Sequence, residues 1–223
     1  MIPLRDENPS RRVPVMTVLM IMINGYIFIR QVMLGNALPA FIADYAFTPA
    51  VYFQPESGNL LHLLAKQIPL VTALFLHGSL FHVLSNMWYL WIFGDNVEDR
   101  FGPFGFLVFY LLCGISGNLF HAVMNARSAV PALGASGCIS GILGAYFLLF
   151  PRARIVTLVP LLFVWTVAEI SAFFFLGFWF VLQFLNGFFH LGSKTGAGVA
   201  WWAHIGGFLA GAVMMPFFVR RRR

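Results

Sequence analysis

An all-α polytopic membrane protein is the fold class this sequence predicts, and three observations carry the prediction. Apolar residues fill 60% of the 223 positions and charged residues only 10%, whereas soluble domains carry about 25% charged residues. Mean hydropathy is +0.82. The apolar residues fall into six runs separated by short polar or Pro- and Gly-containing breaks, and the basic residues gather at the ends of those runs. A chain of this length holds a single bundle and leaves no room for a second sizeable domain.

The N-terminal tail, residues 1–12, carries Arg5, Arg11 and Arg12. Span one is expected over 13–33. It exceeds a signal-peptide core and lacks a clear A-x-A site, so it reads as an uncleaved span. Residues 34–78 are broken by Pro39, Pro49, Pro55 and Pro69 and mix Phe, Tyr and Leu with Asp44, Glu56 and Lys66. That composition fits short helices lying in the interface rather than a crossing. Span two is expected over 79–94, closed by the charged turn Asp95-Asn96-Val97-Glu98-Asp99-Arg100, in which Glu98 and Arg100 are expected to fix the turn. Span three follows over 103–123 and span four over 136–150. After Pro151, residues 155–170 read as a partly interfacial connector interrupted by Pro160. Span five over 171–189 is dense in Phe. The loop 190–198 holds Gly192, Ser193, Lys194, Gly196 and Gly198, a mobile composition. Span six over 199–219 ends the membrane domain, 13–219, and a basic tail, 220–223, follows.

Six crossings put both termini on one side. Placing them in the cytoplasm puts ten of the fourteen Lys and Arg there, leaving Arg30, Lys66, Arg127 and Lys194 outside; the reverse topology would put only those four inside. The net charge of +6 therefore reports topology, and no nucleic-acid partner is expected. Cys113 and Cys138 both fall inside spans and read as small apolar packers. A short six-span chain suggests a prokaryotic inner membrane.

Span four is the unusual element. About 15 residues at 1.5 Å each reach about 22 Å, less than the roughly 30 Å hydrocarbon core, so its first residue, Ser136, should lie below the membrane surface. Gly134 precedes it, and Gly137, Gly141 and Gly144 recur along one helical face. Gly207 and Gly211 do the same on span six, beside His204. Small-residue faces let two helices approach closely. With this topology the starts of spans two, four and six share the outer side, bringing His82, Asn86, Ser136 and His204 to one region. Buried polar groups of this kind face a bundle interior or a wet cavity. They supply a hydroxyl nucleophile, a base for its proton, and hydrogen-bond donors for a developing oxyanion. Taken alone, Ser136 would be an ordinary back-bonding helix serine and Asn86 a helix-stitching amide. His62, His77, His121 and His190 read as interfacial or loop residues. None of the eight acids sits where it would orient His204, so a dyad is expected rather than a triad.

The pieces His82-x-x-x-Asn86, Gly134-Ala135-Ser136-Gly137, and Ala203-His204-Ile205-Gly206-Gly207 with Gly211 resemble the rhomboid intramembrane serine proteases. So does Gly94-Asp95-Asn96-Val97-Glu98-Asp99. The resemblance covers residue 70 to the end and implies a six-helix rhomboid-like bundle with a short central span four and an interfacial first loop. It implies Ser136 as nucleophile, His204 as general base, and an oxyanion hole of the Ser136 backbone N–H, His82 and Asn86. Its substrates would be single-span membrane proteins, cleaved near the outer ends of their spans, and no metal or cofactor is expected. Two departures stand out. Some members carry an aromatic ring four residues after the nucleophile, where it stacks on the histidine. Here that position is Ser140, so another group must hold the imidazole. The Trp-Arg pair of the first loop is also missing.

Alternatives are weaker. A catalytically silent rhomboid-like protein that binds or escorts membrane clients would lack the serine or histidine. A transporter would show paired interrupted spans. No His-Glu-x-x-His and no intramembrane aspartate pair is present. Phe-rich span five is lipid-facing by default, and the Gly-rich loop after it suggests a substrate gate.

Overall fold

The computed structural model describes residues 1–55, 60–161, 164–191 and 199–220. The expectations placed on the glycine-rich loop at 192–198 and on the last three arginines fall outside the described residues. The chain runs β1 (Ile2–Asp6), α1 (Val15–Met33), α2 (Leu38–Tyr45), α3 (Pro49–Tyr52), α4 (Leu60–Ala65), α5 (Ile68–Thr72), α6 (Leu80–Phe101), α7 (Pro103–Met124) and α8 (Ser136–Leu149). It continues through β2 (Arg154–Leu161), β3 (Val164–Ser171), α9 (Ala172–Phe189) and α10 (Trp201–Phe218). The protein is mostly helical. Among the described residues, α1, α7, α9 and α10 are long and apolar enough to cross a membrane, and the 81° bent pair Leu60–Phe75 and α6 makes a fifth candidate.

The core is built by glycine contact. A Cβ at Gly207 would land on the Gly137 carbonyl oxygen, one at Gly211 on the Gly141 carbonyl, and one at Gly144 on the Phe208 carbonyl. Helices α8 and α10 therefore touch backbone to backbone, the geometry that small residues permit. Tyr110, Phe106, Phe109, Cys113, Cys138 and Tyr146 fill the space around this seam and are fully buried.

Helix α6 does not stop at Gly94. It continues to Phe101 and ends at Gly102, whose φ of +72° favours glycine. The acidic stretch is part of the helix because its polar side chains have work inside the fold. Glu98 is 3% exposed and accepts hydrogen bonds from the Met16 N–H (2.9 Å), the Thr17 N–H (2.8 Å) and the Thr17 hydroxyl (2.8 Å). These N–H groups belong to the first turn of α1, which has no internal acceptor for them, and the carboxylate also faces the positive end of that helix. Glu98 thus joins two helices, correcting its reading as a turn residue paired with Arg100.

The connector expected over 155–170 is a β-hairpin. Strands β2 and β3 pair antiparallel from Arg154↔Ser171 to Leu161↔Val164. The N-terminal tail adds β1 as the third strand, in the order β1-β2-β3. β-Branched and aromatic residues with period-two burial explain it: Ile155 and Thr157 on β2 are fully buried, while Trp165 and Val167 on β3 are exposed. Strand β1 is pinned to the helices by the Trp88 indole N–H, which donates to the Pro3 carbonyl (2.7 Å). Asp6 Oδ2 accepts from the Tyr146 hydroxyl (2.6 Å) and the Asn96 amide (3.1 Å). At the far end of the chain the Arg220 N–H donates to the Arg100 carbonyl (3.1 Å), so both termini meet the same end of α6.

Candidate active site

The opposite end of α6 holds the polar cluster. Ser79 caps the helix, accepting from the His82 N–H at 3.1 Å. That first turn sends His82 and, four residues on, Asn86 to one wall of a cavity of about 540 Å³, which Ser136 and His204 also line. The loop that delivers Ser136 is anchored from outside. Phe47 and Ala132 exchange backbone hydrogen bonds at 3.1 and 2.8 Å, and the Gly134 N–H donates to the Ala73 carbonyl at 2.9 Å. The segment at 34–78 thereby holds the entry to α8. Gly134 has φ +124°, and a Cβ there would come within 2.8 Å of the His82 ring. Only glycine satisfies both conditions.

Ser136 is the first residue of α8, so its N–H has no intrahelical acceptor and points with the positive helix end. Its hydroxyl oxygen lies 2.8 Å from His204 Nε2, at hydrogen-bond distance. These two side chains, 68 residues apart, are brought together by the glycine seam between α8 and α10. Asn86 is 7% exposed, and its Nδ2 has no acceptor among the described residues. A buried donor without a partner is costly unless a ligand supplies the acceptor. Gly137 itself has room for a methyl group, 3.7 Å from the Ala203 carbonyl; its expected packing role belongs to its backbone, against which Gly207 lies.

Two partners of His204 are not legible in the sequence. Its Nδ1 is 2.8 Å from Gln183 Oε1, and the Trp179 indole stacks on its ring with centroids 6.1 Å apart and an interplanar angle of 29°. Both come from α9. Trp201 meets the ring edge-on at 6.1 Å. Ser140, at the position where some rhomboid members have an aromatic, turns back instead and donates to the Ser136 carbonyl at 2.6 Å. Trp179 and Gln183 line a second cavity, of about 220 Å³, with Ser85, Tyr89, Ser136 and His204. Among the described residues, neither cavity wall carries a carboxylate, and no group of three metal-ligating side chains occurs. His77, expected to be interfacial or in a loop, lies in the loop before α6 and is 2% exposed. Gln31 clamps its backbone, accepting from its N–H at 2.9 Å and donating to its carbonyl at 3.1 Å.

The chain is similar to several known proteins. A chloroplastic protein of Arabidopsis thaliana, Rhomboid-like protein 11, is 34% identical over 119 residues, covering 53% of this chain and 40% of that protein. The mitochondrial Rhomboid protein 1 of Saccharomyces cerevisiae is 36% identical over 98 residues, covering 42% and 28%. The mitochondrial Presenilin-associated rhomboid-like protein of Mus musculus is 34% identical over 89 residues, covering 39% and 24%. The chain thus spans less than half the length of these curated relatives. Their names run against the expected prokaryotic inner membrane, because these relatives are proteins of mitochondria and chloroplasts. Chain length and span number carry no information about which membrane holds a bundle. The family model described as Rhomboid domain matches residues 65–221, a stretch that includes His82, Asn86, Ser136 and His204 as well as Trp179 and Gln183. On that match the chain belongs to the rhomboid family.

Proposed function

We propose that this protein is an intramembrane serine endopeptidase that cleaves transmembrane segments of single-span membrane proteins through a Ser136–His204 dyad. The observation that carries the reading is the 2.8 Å contact between Ser136 Oγ and His204 Nε2 at the wall of a cavity. A general base must lie within about 2.6–3.2 Å of the proton it takes. Ser136 Oγ attacks the scissile carbonyl carbon while its proton passes to Nε2. The carbonyl π electrons move to oxygen, and that oxyanion is met by the Ser136 N–H, the Asn86 amide and His82. Collapse expels the amine, which takes the proton from His204, and water then hydrolyses the acyl ester by the same route. No metal or cofactor takes part.

In this reading α1, α6, α7, α8, α9 and α10 are the six membrane helices. The 14 residues of α8 span about 21 Å, which sets Ser136 below the lipid headgroups. Substrate enters between α6 and α9, where the smaller cavity lies, and α9 is the element that yields. Its Phe173, Phe174, Phe188 and Phe189 are all exposed.

The test is cleavage of a fluorescently labelled single-span peptide by the purified protein in liposomes. Ser136→Ala and His204→Ala should each lose at least about 10³-fold in kcat with unchanged thermal melting. A folded Ser136→Ala variant that still cleaves would end the proposal.

A further inference from the structure

We propose that Gln183 is the positioning residue of His204, so that the reactive arrangement is Ser–His–Gln with its third member on α9. The inference rests on the dyad reading and extends it. Gln183 Oε1 can only accept, so the proton it meets must sit on Nδ1. The single N–H proton of the neutral ring is thereby held on Nδ1, and the bare Nε2 lone pair is left facing Ser136 Oγ at 2.8 Å. Which ring nitrogen is bare is set by the bond the other makes. Without such an acceptor, a neutral imidazole distributes its proton between both nitrogens, and the molecules protonated at Nε2 have no base.

The choice of an amide follows from the surroundings. Gln183 is 7% exposed, in an apolar helix whose one other amide side chain, Asn186, bonds back to the Leu182 carbonyl. A neutral amide fixes the tautomer there without burying a charge. Trp179 lies one turn before Gln183 on the same helical face and covers the imidazole plane, so the ring is held in both rotation and tilt. The position vacated by Ser140 on α8 is filled from α9. Among the described residues, the contacts that orient the imidazole through Nδ1 and by stacking therefore belong to the helix that flanks the proposed substrate route, and displacement of α9 disarms the base.

The experiment measures the rate at which a fluorophosphonate probe labels Ser136 in detergent-solubilised parent, Gln183→Leu and Gln183→Glu proteins. Leucine fills the space without an acceptor; glutamate restores one of the same shape. Gln183→Leu is expected to slow labelling at least 10-fold with the melting temperature held, and Gln183→Glu to recover most of the rate. Parental labelling by Gln183→Leu, or equal slowing by both variants with the melting temperature of each held, would overturn the positioning role. Should Gln183→Leu not fold, the imidazole ¹⁵N spectrum of the parent decides, with the His204 signals identified by their loss in His204→Ala. A proton on Nδ1 supports the inference and a proton on Nε2 overturns it. Labelling that survives Ser136→Ala would remove the proposed function as well. Labelling lost in Ser136→Ala but unchanged in Gln183→Leu would remove this inference alone.

Discussion

Gly207 and Gly211 meet carbonyl oxygens of α8 where any Cβ would overlap them, while Gly137 across the seam has ordinary space around its Cα. The sequence shows five equivalent small residues; only the structure separates those that need to be glycine from one that tolerates a methyl. Overpacking a rigid backbone contact costs about 1–3 kcal/mol, and here the strain falls on the contact that sets the Ser136–His204 distance. Gly211→Ala is expected to lower the melting temperature by several degrees and cut cleavage at least tenfold, and Gly137→Ala to change melting by less than about 2 °C. Equal effects from the two variants would contradict the seam. At this scale Ser136, His204, His82 and Asn86 were legible, because polar residues in apolar helices stand out and their spacing matches a known family. Gln183 and Trp179 were not. A glutamine and a tryptophan in a Phe-rich helix carry no signal until α9 is packed against α10.

Strand β1 shows what an element can hide. Residues 2–6 read as part of a polar tail because their partners lie about 150 residues away, at Ile155 to Leu158. The alternation that marks β2 was masked by its apolar content, and the polar end of α6 read as a turn because Glu98's partner is on α1. Local pattern fixes helices well and cannot see pairing at such range. Asp6, which bonds β1 to Tyr146, has its carboxyl pushed up to about 6, chiefly by burial and further by the neighbouring charge of Asp95, against the opposing effect of the Tyr146 hydrogen bond. The sign follows: a carboxyl whose folded value exceeds the unfolded one of about 3.8 favours the folded state in its neutral form. That contribution is complete below pH 3.8 and is lost as pH rises through 6. Amide exchange in residues 2–6 should therefore quicken, beyond its intrinsic base catalysis, between pH 5 and 7, and Asp6→Asn should remove the excess. Exchange with no excess in the parent would show that Asp6 ionisation does not govern the strand. For α9, a crosslink to α6 across the smaller cavity is expected to abolish cleavage of bilayer-embedded substrate. Undiminished cleavage would rule out entry between these helices.

Taken whole, the molecule is a set of apolar helices wrapped around one short glycine-faced helix, with a polar cavity at one end and a three-stranded sheet at the other. The helical bundle and the end at which its polar residues gather follow from apolar runs and from the basic residues at their ends. The sheet and the third partner of the imidazole depend on contacts between distant segments, which composition does not encode. The organelle of the relatives was equally invisible, since bilayers of different compartments demand the same apolar lengths within a few ångström. The central claim is that Ser136 is activated by His204, and peptide mapping of the protein after fluorophosphonate treatment tests it most directly. A single adduct on Ser136, lost in the folded His204→Ala variant, is the expected result. An adduct on another residue, or labelling of Ser136 that does not depend on His204, would contradict it.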